Sequence, residues 1–190
     1  MPEPPFRGGW MAALAGVNNL VQAIGCDSVF IGGAAVSLIA TPRYTQDIDL
    51  MALLETEDIP RVLEVAAEHD LVSRISGPIE FGEQARVVLL RHEPTQVSVD
   101  LALGALPFER EVIKRSFTIR VGGLDIRIPT PEDLIIMKAV AHRPKDMEDI
   151  RSILSAHPRV DVKRIEDWVR QFAEAVDAPS IWDDLAAILA

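Results

Sequence analysis

The chain has 190 residues, a length that suits one domain of ordinary size, and 48% of them are apolar, which allows a sizeable core. Its formal net charge of −10 gives it no general attraction to nucleic acid, and its single cysteine, Cys26, excludes an internal disulfide and a cysteine-based zinc site. No apolar run has the length of a membrane span, and the N-terminus is a poor signal peptide, so we expect a cytoplasmic protein.

Short helices and strands alternate over the first part of the chain. Helical periodicity predicts helices over residues 9–25, 34–40, 58–69 and 107–115. Apolar alternation predicts strands over residues 28–31, 47–54, 85–91, 96–103, 117–121 and 125–128, of which the last two form a hairpin. These elements indicate an α/β core.

The chain turns helical after this core. Thr130 is a favourable N-cap, followed by Pro131 at the first helical position and Asp133 at the third. Further helices are expected to begin at residues 144, 161 and 180. We therefore expect an α/β core over residues 1–129 and a helical bundle over residues 130–190, packed as one unit.

Asp47 and Asp49 lie one residue apart at the start of the predicted strand 47–54. Side chains alternate between the faces of a strand, so both carboxylates point the same way while Ile48 and Leu50 point to the core. Two like charges on one face repel unless a cation lies between them, which favours a divalent metal and so phosphate chemistry. The alternative is a pair of acids that keeps an edge strand soluble, but the apolar run that follows favours a buried central strand.

Asp100 is the one acid of the predicted strand 96–103, and Ser98 shares its face. By itself it could equally be a single exposed charge on a one-sided sheet. Beside Asp47 and Asp49 it would complete a three-carboxylate site, in which two Mg²⁺ ions, or Mn²⁺, clamp a triphosphate.

Gly32 and Gly33 join a strand to a helix of small residues. Glycines at such a junction often serve only a tight turn. At a helix N-terminus they also let backbone N–H groups approach a phosphate. The sequence is neither a P-loop, since no Gly-Lys-Ser/Thr follows, nor a dinucleotide fingerprint, since the third glycine is missing.

Lys138 lies inside the apolar stretch 134–141, where a lysine needs a counter-charge or a phosphate unless it snorkels to water. A group of charged residues follows Pro144, in the first turns of the next predicted helix. Acids are also what the helix dipole favours there, so Asp146 and Glu148 have a purely structural alternative.

These segments together resemble a known family. The letters GG at 32–33, RYTQDIDL at 43–50 and the strand acid Asp100 are similar to the nucleotidyltransferase fold of the DNA polymerase beta superfamily. The letters TPEDLIIMKAVAHRPKDMEDI at 130–150 are similar to the AbiEii/AbiGii toxins of bacterial toxin–antitoxin pairs. The resemblance spans residues 29–154 and departs from the family at Gly33, where the family often has serine.

The resemblance implies a mixed-sheet α/β core with a C-terminal helical part, and an enzyme that transfers NMP from an NTP to a hydroxyl. It implies that Asp47 and Asp49 bind both metal ions, that Asp100 binds the catalytic metal and helps to deprotonate the acceptor, and that Lys138 and Lys145 neutralise the triphosphate. Arg143 would contact phosphate or cap the C-terminus of the preceding helix, Thr45 would contact nucleotide or bond within its loop, and Asp149 would orient a lysine. The nucleotide-binding residues expected are Gly32, Gly33, Arg43, Thr45, Lys138, Arg143, Lys145 and Asp149.

The acceptor is open at this stage. By resemblance it is tRNA or a protein, with a cognate antitoxin as a further partner; the alternatives are a small, antibiotic-type acceptor or a non-catalytic nucleotide-binding protein. An RNA would be expected to contact the one basic region of the chain, whose members are Arg110, Lys114, Arg115, Arg120 and Arg127.

Overall fold

The computed structural model describes residues 9–42 and 45–189. The strands in these ranges are β1 (Ser28–Ile31), β2 (Asp47–Ala52), β3 (Leu71–Ser73), β4 (Val87–His92), β5 (Val97–Leu103), β6 (Phe117–Val121) and β7 (Leu124–Ile128). The helices are α1 (Gly9–Ile24), α2 (Gly32–Ile39), α3 (Ile59–Ala67), α4 (Pro78–Ala85), α5 (Pro107–Arg115), α6 (Pro131–Ala141), α7 (Pro144–Ala156), α8 (Val162–Ala175) and α9 (Ser180–Leu189). None of these helices is long and apolar enough to cross a membrane.

The first five strands form one mixed sheet in the order β1-β2-β5-β4-β3, and β6 and β7 form a separate hairpin. Strands β2 and β5 run parallel, whereas the other neighbours in the sheet run antiparallel. The expected mixed-sheet α/β fold is therefore confirmed. Because β2 lies between β1 and β5, the alternative that its two acids merely solubilise an edge strand is wrong.

The two faces of this sheet differ in burial. On one face, Ile48 and Leu50 of β2 and Val99 and Leu101 of β5 are buried. Helix α1 contacts β5 and α3 contacts β3, and this apolar contact is the main source of stability on this side. The opposite face is covered by α2 over β2, but its positions on β4 and β5 are only half-buried. We call this second surface of β2, β5 and β4 the open face.

The C-terminal helices continue this second layer. Helices α6 and α7 pack against α2, and α6 also contacts α8 and α9. Helix α6 begins as predicted, since the Thr130 hydroxyl accepts the N–H of Asp133 at 3.3 Å. The expected division at residue 129 stays a prediction.

Two elements differ from expectation. Strand β3 and helix α4 were not predicted, and both lie in the segment between α3 and β4. Helix α4 is entered and left through the left-handed residues Gly77 (φ 65°) and Arg86 (φ 51°). Strand β3 matters for function because it extends the open face by one strand.

Candidate active site

The parallel pairing of β2 with β5 brings the predicted acids together. Asp49 pairs in register with Asp100, and Asp47 pairs with Ser98 in the next row. In a parallel pair, residues in register point to the same face, so the three carboxylates share the open face. Asp49 and Asp100 are half-buried and Asp47 is exposed.

Asp49 is seated at the N-terminus of α2. Its carboxylate accepts the backbone N–H of Gly33, an arrangement that the helix dipole favours. Gly32 precedes this amide with φ at 66°, and a Cβ added there would lie 1.9 Å from Asp49 Oδ2. Glycine at 32 is thus explained by a left-handed turn and by the close approach of Asp49.

The two central carboxyls have perturbed acidities. Burial raises the pKa of Asp49, and the neighbouring charges of Asp100 and Asp47 raise it further, while Lys138 and the Gly33 amide act in the opposite direction. Burial also raises the pKa of Asp100, and the partly opposing contribution comes from Arg74. Carboxyl groups whose pKa is shifted by burial and by neighbouring like charges are common at functional sites.

Arg74 is a site residue that the sequence analysis missed. It follows β3 directly, and its Nη2 lies 2.7 Å from Asp100 Oδ1. The residue belongs to no motif, and β3 is too short to be recognised from its pattern. An isolated arginine after an unpredicted strand gives no signal that could have placed it beside Asp100.

Lys138 occupies the centre of a buried ion cluster that joins α6 to α7. Its Nζ lies 2.9 Å from Asp146 Oδ1 and 2.8 Å from Asp149 Oδ2, and its side chain is 5% exposed. The snorkelling alternative for Lys138 is therefore wrong, and the required counter-charges are the two aspartates. The cluster continues to Arg143, whose guanidinium contacts Asp146.

This cluster lies within electrostatic reach of the carboxylates. The pKa of Asp49 is raised, by burial above all, and the charge of Lys138 acts against this rise. Burial acts to raise the pKa of Asp146, but its contacts with Arg143 and Lys138 outweigh burial and hold that pKa below the ordinary value. The cluster therefore places the positive charge of Lys138 within electrostatic reach of Asp49, while the lowered pKa of Asp146 keeps that acid ionised beside it.

Lys145 differs from Lys138 in its surroundings. It is exposed, and it lines a cleft of about 310 Å³ together with Thr41, Glu148, Asp149 and Ser152. The sequence analysis gave the two lysines the same role toward the triphosphate. In the structure, Lys138 is buried in an ion cluster and Lys145 lies at the cleft. Contact of either lysine with a nucleotide stays a prediction.

The remaining predicted residues have local explanations. Arg143 is the N-cap residue of α7, and its guanidinium contacts Asp146 of that helix. The Thr45 hydroxyl donates to the Asp47 carbonyl oxygen at 3.2 Å, as the alternative for this residue anticipated. Arg43 lies outside the described residues. Nucleotide contacts of Thr45 and Arg143 stay predictions.

The carboxylates suit a divalent cation in their chemistry. Three hard oxygen donors share one face, and two of them have pKa values that repulsion and burial raise. Across residues 9–42 and 45–189, however, no three His, Cys, Asp or Glu side chains converge closely enough to hold a metal ion. The Asp100 carboxylate is engaged by Arg74 instead. The three carboxylates therefore fit a divalent metal ion in their oxygen chemistry and in their positions on adjacent strands.

The basic region expected to contact RNA is largely paired within the protein. Arg115 contacts the buried Asp133, Arg127 contacts Asp27, and Arg110 lies 3.9 Å from a Glu55 oxygen. These pairs leave the region with much less free positive charge than its composition suggests.

A sequence profile of the family described as "Nucleotidyl transferase of unknown function (DUF2204)" matches residues 11–186. The chain belongs to this family. It is therefore a nucleotidyltransferase, as the sequence motifs predicted. No match was found among curated proteins. The narrower resemblance to the AbiEii/AbiGii toxins stays a prediction.

Solved structures show the same fold at low sequence identity. An antigenic nucleotidyltransferase-like protein from Paracoccidioides brasiliensis has 17% identity and a TM-score of 0.55, with 93% of this chain and 92% of that chain covered. The solution structure of the antibiotic-resistance factor ANT(2'')-Ia has 12% identity and a TM-score of 0.60, with coverages of 88% and 93%. Its crystal structure in complex with adenylyl-2''-tobramycin has 13% identity and a TM-score of 0.59, with coverages of 89% and 99%.

Proposed function

We propose that this nucleotidyltransferase transfers NMP from an NTP to a hydroxyl acceptor in a Mg²⁺-dependent reaction. The acceptor oxygen attacks the α-phosphorus, the bond from that phosphorus to the bridging oxygen breaks, and pyrophosphate leaves. The observation that carries this proposal is the register of Asp49 with Asp100 on the open face, with Asp47 in the next row. Carboxylates are the oxygen donors that this chemistry uses, and burial and mutual repulsion, which raise the pKa of Asp49 and Asp100, would be relieved by a bound cation.

The carboxylates would hold the metal ions. Asp47 and Asp49 would bind both, and Asp100 would bind the catalytic one. When bound, Mg²⁺ neutralises phosphate charge and lowers the pKa of an acceptor hydroxyl. The Asp100 carboxylate would then accept the proton that the hydroxyl loses.

The helices would hold the triphosphate. The N-terminus of α2, at Gly32 and Gly33, would favour a phosphate through the helix dipole, next to the Gly33 N–H that donates to Asp49. Lys145 would contact phosphate from the cleft, and Lys138 would contribute positive charge through space. Asp149 would orient Lys138, which it contacts at 2.8 Å. Arg143, Thr45 and Arg43 would complete the nucleotide site.

The acceptor proposed first is a tRNA or a protein, with the chain acting as the toxin of a toxin–antitoxin pair. This proposal rests on the resemblance of residues 130–150 to the AbiEii/AbiGii toxins. A second candidate is a small cationic acceptor. It is supported by the net charge of −10 and by the internal pairing of Arg115 and Arg127, which weakens the case for RNA.

One experiment tests the activity and separates these acceptors. The protein is incubated with each α-³²P-labelled NTP and Mg²⁺ in the presence of tRNA, cell lysate or an aminoglycoside. We expect label in one of the three pools and release of pyrophosphate. Label in RNA or protein supports the toxin, and label in the aminoglycoside supports the small acceptor. Absence of label with all NTPs in all pools, with the protein folded, would contradict the proposed transfer.

A further inference from the structure

Arg74 is built into the edge of the larger sheet in the same row as two of the acids. Its backbone N–H donates to the Leu89 carbonyl oxygen at 3.1 Å, and Leu89 pairs in register with Asp100. The turn after Arg74 is held by Ser73, whose hydroxyl donates to the Ile75 carbonyl oxygen at 2.9 Å and accepts the Ile75 N–H at 3.3 Å. The position of Arg74 along the sheet is thus fixed by backbone contacts, and only its side chain is free to move.

The side chain spans Leu89 and ends at Asp100. The 2.7 Å contact between Arg74 Nη2 and Asp100 Oδ1 joins side chains that are 27% and 35% exposed. A guanidinium at this distance forms a close ion pair with the carboxylate. It offsets the negative charge that Asp100 would offer to a divalent cation. Arg74 and a metal ion at Asp100 are therefore competitors for one group.

The same contact offsets part of the negative charge that the three acids share. Asp49 and Asp100 are neighbours in register, and Asp47 lies one row away, so a cation near Asp100 relieves part of the repulsion among them. Asp49 has its own donor in the Gly33 amide. Arg74 plays the corresponding role for Asp100, but through its side chain instead of a backbone amide.

We propose that Arg74 is a latch on Asp100, engaged in the metal-free protein and released when metal and NTP bind. This inference rests on the proposed role of Asp100 as a metal ligand. The latch makes metal binding unfavourable until the triphosphate adds its own charge and ligands. Arg74 is thus a positioning residue that sets when the site can fill, and it regulates the site without itself contacting the reacting atoms.

The test measures Mn²⁺ affinity in the absence of nucleotide. Free Mn²⁺ is followed by electron paramagnetic resonance during titration of the wild type, Arg74→Met and Arg91→Met. Arg91 is the control for the general loss of charge, because it lies on the open face in the row of Ser98 and Asp47, one row away from Asp100. We expect Arg74→Met to bind Mn²⁺ more tightly by about twofold to fivefold, the range for an ion pair near the surface, and Arg91→Met to change affinity less.

Three results of these titrations would overturn the proposed latch. An Mn²⁺ affinity for Arg74→Met equal to that of Arg91→Met overturns the latch, because the loss of one positive charge from the open face would then explain the whole change. Weaker binding by Arg74→Met also overturns it, because Arg74 would then orient Asp100 for the metal. Arg74→Gln, which keeps a polar end without charge, should tighten binding as well and guards against a folding defect in one variant. If the wild type binds no Mn²⁺ even with NTP present, the proposed metal site itself fails, and the latch with it.

Discussion

At residue 32 the backbone is left-handed, with φ at 66°, and the space where a Cβ would stand is filled by Asp49. The sequence suggested a phosphate cradle at this glycine, but the contact seen is with a carboxylate of the site itself. Gly32 therefore decides where Asp49 points. Its effect on a bound phosphate would follow from that placement.

Substitution of Gly32 tests this role against a matched glycine. Gly25 is also left-handed, with φ at 73°, but a Cβ there would meet nothing within 4 Å. Alanine in a left-handed position costs about 1–2 kcal/mol, so Gly25→Ala should lower the free energy of unfolding by roughly that amount, and Gly32→Ala by more because its Cβ also meets Asp49. Only Gly32→Ala should also displace Asp49.

The distinguishing measurement is the thermal shift on adding Mn²⁺ and NTP. We expect Gly25→Ala to keep the shift of the wild type and Gly32→Ala to lose most of it. A full shift in Gly32→Ala would show that the position of Asp49 is not set by this glycine.

The two lysines of the C-terminal helices should respond differently to the same change. Lys138 is 5% exposed between two buried aspartates, and Lys145 is exposed at a cleft. Removing one partner of a buried ion pair leaves uncompensated charge, so Lys138→Met should lower the free energy of unfolding by about 3–5 kcal/mol. Lys145→Met should change it by no more than about 0.5 kcal/mol.

Lys145→Met should instead affect the affinity for NTP. Loss of an exposed phosphate contact is expected to weaken NTP affinity by about tenfold, because a charge-assisted hydrogen bond is lost. Chemical denaturation and titration calorimetry on both variants make the comparison. Equal stability of Lys138→Met and the wild type would contradict the ion cluster, and unchanged NTP affinity in Lys145→Met would remove that lysine from the site.

At the scale of elements, the helical layer is joined through buried acids rather than by apolar contact alone. Asp133, which is fully buried near the start of α6, accepts from Arg115 of α5 at 3.2 Å and from Arg164 of α8 at 2.9 Å. Aromatic rings pack at the same junction, where the ring centroids of Phe108 and Trp168 are 5.0 Å apart. Three helices thus meet at one carboxylate.

This junction predicts unequal effects for two neighbouring cations of α8. Arg164 is 15% exposed and contacts Asp133, whereas Lys163 is 82% exposed and pairs with Asp167 on the same helix. Arg164→Met leaves Asp133 with Arg115 alone and should lower the free energy of unfolding by about 2 kcal/mol. Lys163→Met should cost no more than about 0.5 kcal/mol. Urea denaturation measures both, and equal losses would contradict the role given to Asp133.

Several elements were predictable because their signals are local. Strands β2 and β5 alternate long enough to be recognised, and the cap at Thr130 fixes the start of α6. Strand β3 has only three residues, too few for a periodic pattern. Helix α4 contains Gly82, a weak helix former that is kept because a Cβ there would lie 2.8 Å from Ile59 Cδ1. That packing reason is invisible in the sequence.

The candidate site could likewise be predicted only in part. Alternation placed Asp47 and Asp49 on one face, and burial implied that Lys138 needs a counter-charge. Neither rule identifies the partner, because the register of β2 with β5 and the contact of Arg74 with Asp100 depend on how distant segments meet. Sequence reasoning thus supplied which residues carry charge, and the fold decided which charges touch.

At the scale of the whole molecule, the two faces of the sheet divide stability from chemistry. The face under α1 and α3 is apolar and closed, while the open face carries the carboxylates, Arg74 and Arg91. The C-terminal helices pack on α2 and bring Lys138 within electrostatic reach of Asp49. A nucleotide bound between these layers would contact metal ligands on one side and cations on the other.

The most direct test of this account is the stabilisation of the protein by Mn²⁺ and NTP together, measured as a shift in Tm. At a concentration about a hundredfold above Kd, a ligand that binds only the folded state adds roughly 2.7 kcal/mol, which for a chain of this size is roughly 5–10 °C. We expect this shift in the wild type and in Asp125→Asn, an exposed acid on β7, and its loss in Asp49→Asn and Asp100→Asn, with all variants folded. An undiminished shift in both Asp49→Asn and Asp100→Asn would contradict the claim that these carboxylates hold the metal and nucleotide.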